Sequence, residues 1–292
     1  MNRPVAVISV DVDPVDLHLV GYGYRGLPPD PVVAEVGLPR LREVFARVGL
    51  RATLFMVGRD TERHAEGIAA AAAAGHEIAS HTWSHPIGFA SLSPGHQQDE
   101  LQRSRFALER AAGTKVVGFR APNFDMNATA ASRLLAAGYR YDASAYPSLM
   151  LVPARAVLAL KSANPLAVLA MRPWPFTWAR QPYDWAVEGG VLREFPVATT
   201  PGLRMPVYHT LRYYTAEARF EAEIAGFAER GESLSYVLHG VDVLGLAEDN
   251  VDPRLRKHPG MDRPLAAKLE LLERTLRTIT ARFDVRPYAE LL

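Results

Sequence analysis

Short apolar runs alternate along this chain with longer stretches that are amphipathic or rich in alanine. Seven runs have the length and the β-branched or aromatic character of buried strands, at residues 5–10, 52–57, 77–79, 116–119, 139–141, 192–196 and 234–238. Helices are predicted between them, at residues 38–48, 61–75, 93–113, 128–137, 215–230 and 265–283. Because strands that alternate with helices form parallel sheets, the pattern predicts an α/β fold, a barrel of about seven parallel strands.

Two stretches interrupt this alternation. Residues 14–37 are rich in Gly, Pro and Tyr and are predicted to form a long functional loop. A stretch at about 146–188 is rich in Pro and Trp and lacks a clean period, so it is predicted to be an irregular insertion. Since an α/β barrel is commonly one domain of about 250 residues, we expect residues 1–292 to form a single domain that carries this insertion.

Polar residues with catalytic potential follow the predicted strands. They are Asp11, Asp13, His81, His85, Arg120, Tyr141, Asp142 and His239. In α/β barrels the chemistry collects at the C-terminal ends of several strands. We therefore expect these side chains to build one shared site.

His81 and His85 have the spacing i, i+4, which on a helical turn puts both imidazoles on one side, as in helical zinc sites. Thr82 stands where the H-E-x-x-H motif has its glutamate, so a protease of that class is not expected. Pro86 disfavours the α conformation at His85, and the pair is therefore expected on a short turn. The spacing alone is equally compatible with two histidines in a polar loop.

The acids Asp11 and Asp13 favour a metal site at this position. Two carboxylates this close at a strand end are not buried cheaply without a cation or hydrogen-bond donors, although a pair of turn or capping carboxylates is the alternative. With Asp13 as a ligand beside His81 and His85, positions stay open for water and substrate. Asp11 is then free to act as a base, with Arg120 as its orienting partner, unless Arg120 forms only a surface ion pair.

His239 follows another predicted strand and precedes Gly240. Histidine is a residue type suited to proton donation near neutral pH, although a single histidine is more often structural. Other residues near the strand ends are expected to bind the substrate: Pro122, Asn123, Phe124, Tyr141 and Asp142.

Composition narrows the function classes. The 292 residues include 33 basic and 32 acidic side chains, a net charge of +1, so no nucleic-acid partner is expected. The absence of cysteine excludes disulfides and thiolate zinc sites. The first apolar run leads into the predicted site rather than into a cleavage site, which predicts a cytosolic start, and no run approaches the roughly 18 residues of a membrane span.

Four motifs resemble those of the polysaccharide deacetylase (NodB-homology, carbohydrate esterase 4) family. Residues 75–86 are similar to its histidine motif, 119–124 to its arginine–proline motif, 238–240 to its late histidine motif and 11–13 to a D-x-D form of its acidic motif. The resemblance spans residues 5–240 in the family's order. It implies a distorted (β/α) barrel with a divalent metal ion on Asp13, His81 and His85, Asp11 as base, Arg120 as its partner and His239 as acid.

The chain departs from the family pattern in two places. Residues 9–13 read S-V-D-V-D where the family has T-F-D-D-G, and E-F-P at 194–196 stands at about the place of an aspartate–tryptophan motif. These departures make a cell-wall polymer a less favoured substrate. They resemble the branch that includes lipid-linked aminoarabinose deformylases, and small-amide hydrolases such as metal-independent allantoinases.

The sequence thus predicts a metal-dependent hydrolase that removes an acetyl or formyl group from the nitrogen of an amino sugar. Zinc is the expected ion, with cobalt, nickel, manganese and iron as alternatives. The substrate is expected to be either small and soluble or lipid-linked. In the second case the apolar and basic residues at 146–188 would contact the inner face of the membrane. Three other functions stay open: hydrolysis of a small cyclic amide, non-haem iron oxygenation, and sugar binding without catalysis.

Overall fold

The computed structural model of this chain describes residues 3–161, 166 and 179–292. Within them, nine strands form one sheet. The strands are β1 Val5–Val12, β2 Thr53–Met56, β3 Glu77–Ser80, β4 Gly118–Phe119, β5 Tyr141–Asp142, β6 Tyr183–Val187, β7 Gly190–Glu194, β8 Leu234–His239 and β9 Asp284–Val285. The α-helices are α1 Val15–Gly21, α2 Leu38–Val48, α3 Ala65–Ala73, α4 Pro94–Ala112, α5 Ala128–Ala136, α6 Leu151–Lys161, α7 His209–Arg212, α8 Glu217–Glu229 and α9 Leu265–Thr280.

The sheet has the order β6-β7-β5-β4-β3-β2-β1-β8, and β9 pairs with β1. From β7 to β8 seven neighbouring strands run parallel, whereas β6 joins β7 in an antiparallel hairpin. After β7, the backbone amide of Ala198 donates to the carbonyl oxygen of Ser235 in β8 at 3.0 Å. The segment that follows β7, near one edge of the sheet, therefore hydrogen-bonds to β8 at the other edge. The predicted α/β fold with about seven parallel strands is confirmed.

Side chains along β1 point alternately to the two faces of the sheet, and each face belongs to a different apolar cluster. Even-numbered positions such as Ile8 and Val10 join the large core between the sheet and the helices. Val7 belongs instead to a second cluster, which also contains Phe55, Tyr141, Phe195 and Tyr288. Because strand side chains alternate between two faces, Asp11 shares the face of Val7. The D-x-D carboxylates therefore lie on the side of the sheet that carries this second, aromatic cluster, which we call the inner face.

The loop predicted for residues 14–37 is wrong in two segments. Val15–Gly21 is the helix α1, and Val33–Gly37 is a π-helical turn that continues into α2. The helix α1 has only seven residues, and its stability comes from burial of side chains such as Leu17 and Leu19 rather than from intrinsic propensity. A local pattern of this length does not reveal such a helix.

The irregular stretch at 146–188 contains regular elements as well. The helix α6 and the strand β6 both lie in it, while residues 162–165 and 167–178 fall outside the described part of the chain. The expectation of a single domain over residues 1–292 stays a prediction. Within the described part of the chain, every helix is too short or too polar to span a bilayer.

Candidate active site

A cavity of ≈ 320 Å³ lies where the parallel strands end. The carboxyl ends of β1, β3 and β8 deliver side chains to it, as expected for an α/β barrel. Seven of the predicted site residues line it: Asp11, Asp13, His81, His85, Asn123, Phe124 and His239. The structure therefore brings together most of the residues that the sequence selected.

Asp13, His81 and His85 form a group whose ligand atoms all lie within 4.8 Å of one another. Nε2 of His81 lies 3.5 Å from Oδ1 of Asp13, and Nε2 of His85 lies 3.7 Å from Oδ2. Ligands held about 2.0–2.1 Å from a tetrahedral ion are separated by about 3.4 Å. The spacing of this group therefore fits one small divalent ion.

The surroundings of the group agree with this fit. Oδ1 of Asp13 is buried and has no hydrogen-bond partner among the described residues. Burial raises the pKa of Asp13 and lowers that of His81, and it lowers the pKa of His85 to about 4. Neutral imidazoles around a buried, unpartnered carboxylate oxygen are the donor set that a cation needs. The residues present therefore fit a metal ion.

Backbone and side-chain contacts orient the two histidines. Nδ1 of His81 lies 2.7 Å from the carbonyl oxygen of Arg120, which leaves Nε2 for the site. The His85 amide donates to Oγ1 of Thr82 at 3.0 Å, and both residues adopt positive φ angles of 57° and 66°. The turn predicted from Pro86 is thus present, and it is not helical.

Glu100 of α4 holds this histidine turn from the side. Its carboxylate accepts from the Trp83 amide at 2.9 Å, the Ser84 amide at 2.8 Å and the Ser84 hydroxyl at 2.6 Å. Sequence reasoning missed Glu100, because it lies on a helix and no local motif links it to the turn. Its role is to fix the backbone that carries His81 and His85.

Asp11 is paired with a completely buried arginine. Nη1 of Arg120 donates to Oδ1 of Asp11 at 2.5 Å, Nη2 to Oγ of Ser9 at 3.0 Å and Nε to the carbonyl oxygen of Ala143 at 2.9 Å. The guanidinium also lies 4.1 Å from the ring centre of Phe55. Burial alone would raise the pKa of Asp11, but the charge and the hydrogen bond of Arg120 hold it below its ordinary value. Asp11 is therefore ionised at neutral pH, and Arg120 forms a buried ion pair rather than a surface one.

His239 lies beside Asp11 at the end of the neighbouring strand. The two residues are register partners across β1 and β8. Asp242 accepts from the His239 amide at 2.8 Å, and it receives a hydrogen bond from the Tyr213 hydroxyl at 3.0 Å. This bonding fixes the turn after β8 and keeps the imidazole at the cavity.

Three of the residues expected to bind substrate do not line the cavity. Tyr141 is completely buried in the inner aromatic cluster, where its hydroxyl donates to Glu77 at 2.8 Å. Asp142 is also completely buried, and its Oδ1 accepts from the Ser144 hydroxyl at 2.6 Å. Pro122 is buried at the start of a 3₁₀ turn. Asp142 is the last residue of β5 and still does not line the cavity. A polar residue at a strand end therefore need not contribute to the site.

Asn123 and Phe124 reach the cavity through unusual backbone angles. Their φ angles are 54° and 56°, in the left-handed region that non-glycine residues seldom adopt. Such conformations persist where the surrounding structure determines them, and they cluster at functional sites. The turn after Arg120 thus directs both side chains toward the cavity.

Comparisons with known proteins agree with the motifs. Residues 30–141 match the family described as polysaccharide deacetylase. This match includes His81, His85 and Arg120, whereas Asp11 and His239 lie outside it. A peptidoglycan deacetylase of Helicobacter pylori is 32% identical over 140 residues, which are 47% of this chain and 47% of that protein. The chain spans about half the length of the curated relatives it matches.

Solved structures show the same fold. A Mycobacterium smegmatis protein assigned as a polysaccharide deacetylase has a TM-score of 0.64 at 21% identity, covering 100% of this chain and 90% of that one. Puue allantoinase has a TM-score of 0.59 at 16% identity, covering 98% of this chain and 88% of that one. At these identities the likeness shows the fold alone.

Proposed function

We propose that this chain, which belongs to the polysaccharide deacetylase family, is a metal-dependent hydrolase that removes an acetyl or formyl group from the nitrogen of an amino sugar. The observation that carries the proposal is that Asp13, His81 and His85 line one cavity together with Asp11, which is paired with the buried Arg120. Asp13, His81 and His85 would hold the ion, with zinc as the expected metal.

A divalent ion at this position would polarise the amide carbonyl and lower the pKa of water bound to it toward about 7. Asp11 would accept the proton of the attacking water, since its lowered pKa keeps the carboxylate available. Arg120 would fix the orientation of that carboxylate through the 2.5 Å ion pair. His239 would stabilise the oxyanion and then donate a proton to the amine nitrogen as the C–N bond breaks.

The size of the cavity supports a small substrate rather than a long polymer in the pocket itself. Its volume of ≈ 320 Å³ is at the lower end of the range for small-molecule sites, roughly 300–1,000 Å³. A single N-acylated sugar unit is therefore the proposed occupant. A small cyclic amide is the alternative within the same chemistry.

Release of acetate and formate from a panel of N-acylated amino sugars and cyclic amides tests the proposal. We expect release from at least one amino sugar, loss of release with a chelator, and recovery with zinc. Asp11→Asn should lose most turnover while keeping the metal, whereas His81→Ala and His85→Ala should lose the metal as well. Asp99→Asn, on the exposed face of α4, is the matched control for a lost carboxylate.

Several outcomes would contradict the proposal. Full turnover after complete removal of metal would remove the ion from the mechanism. Loss of metal in Asp11→Asn together with retention in Asp13→Asn would reverse the two proposed roles. Binding of an amino sugar to the metal-loaded protein without any release would favour a non-catalytic barrel, and turnover that consumes oxygen and 2-oxoglutarate with iron would favour an oxygenase.

A lipid-linked form of the sugar is a second candidate substrate, and the helix α6 supports it. Val152, Val157 and Leu160 are 41%, 49% and 88% exposed, and Val157 also lines the cavity. Apolar side chains at the mouth of a site suit the head-group boundary of a membrane. The aromatic part of the predicted membrane-binding segment, including Trp174 and Trp178, lies outside the described residues. If the protein does not co-sediment with anionic liposomes at low salt, the lipid-linked substrate should be dropped.

A further inference from the structure

Two histidines line the cavity beyond the residues assigned so far. His18 lies on α1, and His258 directly follows the 3₁₀ turn Pro253–Lys257. Their ring centres are 5.1 Å apart, and the ring of His239 lies 5.9 Å from His18 and 6.2 Å from His258. The proposed proton donor is thus the third member of a group of imidazoles on one side of the pocket.

The positions of His18 and His258 are built into the fold. The Tyr22 hydroxyl and Nδ1 of His258 are hydrogen-bonded at 3.2 Å, which ties the end of α1 to the turn that carries His258. At the other end of α1, Asp16 forms an ion pair with Arg59 and accepts from the Asp30 amide at 3.1 Å. The helix α1 is therefore held over the cavity from both ends.

Each of the two histidines has a ring nitrogen without a partner. Nε2 of His18 and Nε2 of His258 are buried and make no hydrogen bond within the described part of the chain. A buried polar atom left unpaired destabilises a fold. A bound molecule that supplied the missing partners would remove this penalty.

A second metal ion does not explain this pair. In the described residues, Asp13, His81 and His85 are the group whose donor atoms come close enough to hold an ion, and neither His18 nor His258 belongs to such a group. Burial and the neighbouring His258 lower the pKa of His18 well below its ordinary value, and burial and His239 lower that of His258 to about 4. Both rings are therefore neutral at pH 7, and the unpartnered Nε2 of each donates or accepts a hydrogen bond according to the tautomer.

Charge in the pocket limits what such rings bind. Among the described residues that line the cavity, none is Lys or Arg, whereas Asp11 and Asp13 are both present. A phosphate or carboxylate on the substrate would thus find no cationic side chain among these described lining residues. Neutral imidazoles suit hydroxyl groups, which donate and accept hydrogen bonds at once.

We infer that His18 and His258 determine specificity by hydrogen-bonding the hydroxyl groups of a neutral sugar, with Tyr22 as the residue that positions His258. This inference rests on the proposed N-deacylation and adds the side chains that select the hydroxyl groups of an uncharged substrate. A site whose polar groups hydrogen-bond to substrate hydroxyls binds an analogue without hydroxyls less well, because the polar groups of the site are then left unpaired.

The test compares two substrates in His18→Leu and His258→Leu. One is the N-acylated amino sugar that wild type hydrolyses best, and the other is the same N-acyl derivative of cyclohexylamine, which lacks hydroxyls. We expect kcat/KM for the sugar to fall about tenfold or more, with the cyclohexyl substrate changed less than about twofold. His18→Asn and His258→Asn should recover part of the loss, and His96→Leu, on the exposed start of α4, should behave like wild type.

The remaining outcomes separate this inference from the proposed function. An equal loss on both substrates would overturn the inference, and so would a fall from two bound zinc ions per chain to one in either Leu variant. If either Leu variant fails to fold, the Asn variants carry the same comparison. If wild type releases no acyl group at all, the proposed function fails. In that case, calorimetry of N-acetylglucosamine binding to the metal-loaded protein tests the inference by itself. Loss of binding in His258→Leu but not in His96→Leu supports the inference, and any other result overturns it.

Discussion

Replacement of Arg120 by Met should destabilise the fold strongly, and Asp11 should account for most of the loss. Arg120 is completely buried and Asp11 is 4% exposed, so water does not screen their 2.5 Å ion pair. Methionine keeps much of the apolar contact with Phe55 but leaves Asp11 as a buried charge without its partner. Breaking one side of a buried pair costs about 3–5 kcal/mol of unfolding free energy.

A double-mutant cycle isolates the pair from the other contacts of Arg120. Arg120→Met and Asp11→Asn should each destabilise the protein, and the double variant should lose less than the sum of the two. We expect a coupling free energy of roughly 2–3 kcal/mol, the upper range for residues in direct contact. The bonds from Arg120 to Ser9 and Ala143 are lost in both arms that carry Met, so they cancel in the coupling term.

Urea-induced unfolding followed by circular dichroism measures these differences. The measurement should be made on chelator-treated protein, because an ion that binds the native state adds its own stabilisation. The exposed pair Asp99 and Arg103 on α4, 3.3 Å apart, is the matched control and should give a coupling below about 1 kcal/mol. Additive effects at Asp11 and Arg120 would refute the reasoning, because they would mean that the two side chains are stabilised independently.

Two further predictions concern residues around the site and the core. Glu100→Gln should weaken zinc affinity about tenfold or more without unfolding the protein, because it removes the charged acceptor that fixes the histidine turn. A competition titration against a fluorescent chelator measures this affinity, with Asp99→Asn as the control. Unchanged zinc affinity in Glu100→Gln would contradict the prediction. His76 accepts from the Ala52 amide through Nδ1, and burial lowers its pKa to about 4. The unfolded chain therefore binds more protons than the native state between about pH 4 and 6.5, so the native state loses stability as pH falls through that range. His76→Gln should lose less stability than wild type there and show a constant difference from pH 7 to 8, whereas parallel curves down to pH 4 would contradict this.

The strands were predictable because their pattern is local. Each apolar run in the parallel sheet is short and β-branched or aromatic, and burial on both faces requires that composition. The hairpin of β6 and β7 was missed although it had a local signature. Gly189 and Gly190 have φ angles of 93° and 148° at its turn, and the alternating residues Tyr183–Val187 precede them. The neighbouring Pro-rich and Trp-rich residues concealed this pattern.

The positions of the proposed metal ligands and of the proposed base were predictable for a related reason. The spacing of two sets Asp13, directly after β1, on the same side as Asp11 near the end of that strand, and parallel register sets His239 beside Asp11. Tyr141 and Asp142 show where this argument fails. They also close a strand, but β5 has only two residues, and both side chains are buried away from the cavity.

Contacts between distant segments of the chain were not predictable from any pattern. His18 and His258 are far apart in sequence, and each lies in a stretch without periodicity, so their 5.1 Å approach depends on the fold as a whole. The same holds for Glu100, which reaches the histidine turn from the side of a helix. The strand ends therefore carry residues whose chemistry the sequence reveals. The loops and the short helix α1 carry His18 and His258, which we propose to contact the rest of the substrate. In barrels these segments vary while the strands hold the reacting groups. Under the proposed function, the four motifs indicate the reaction, whereas the choice of substrate depends on side chains such as His18 and His258, which no motif contains.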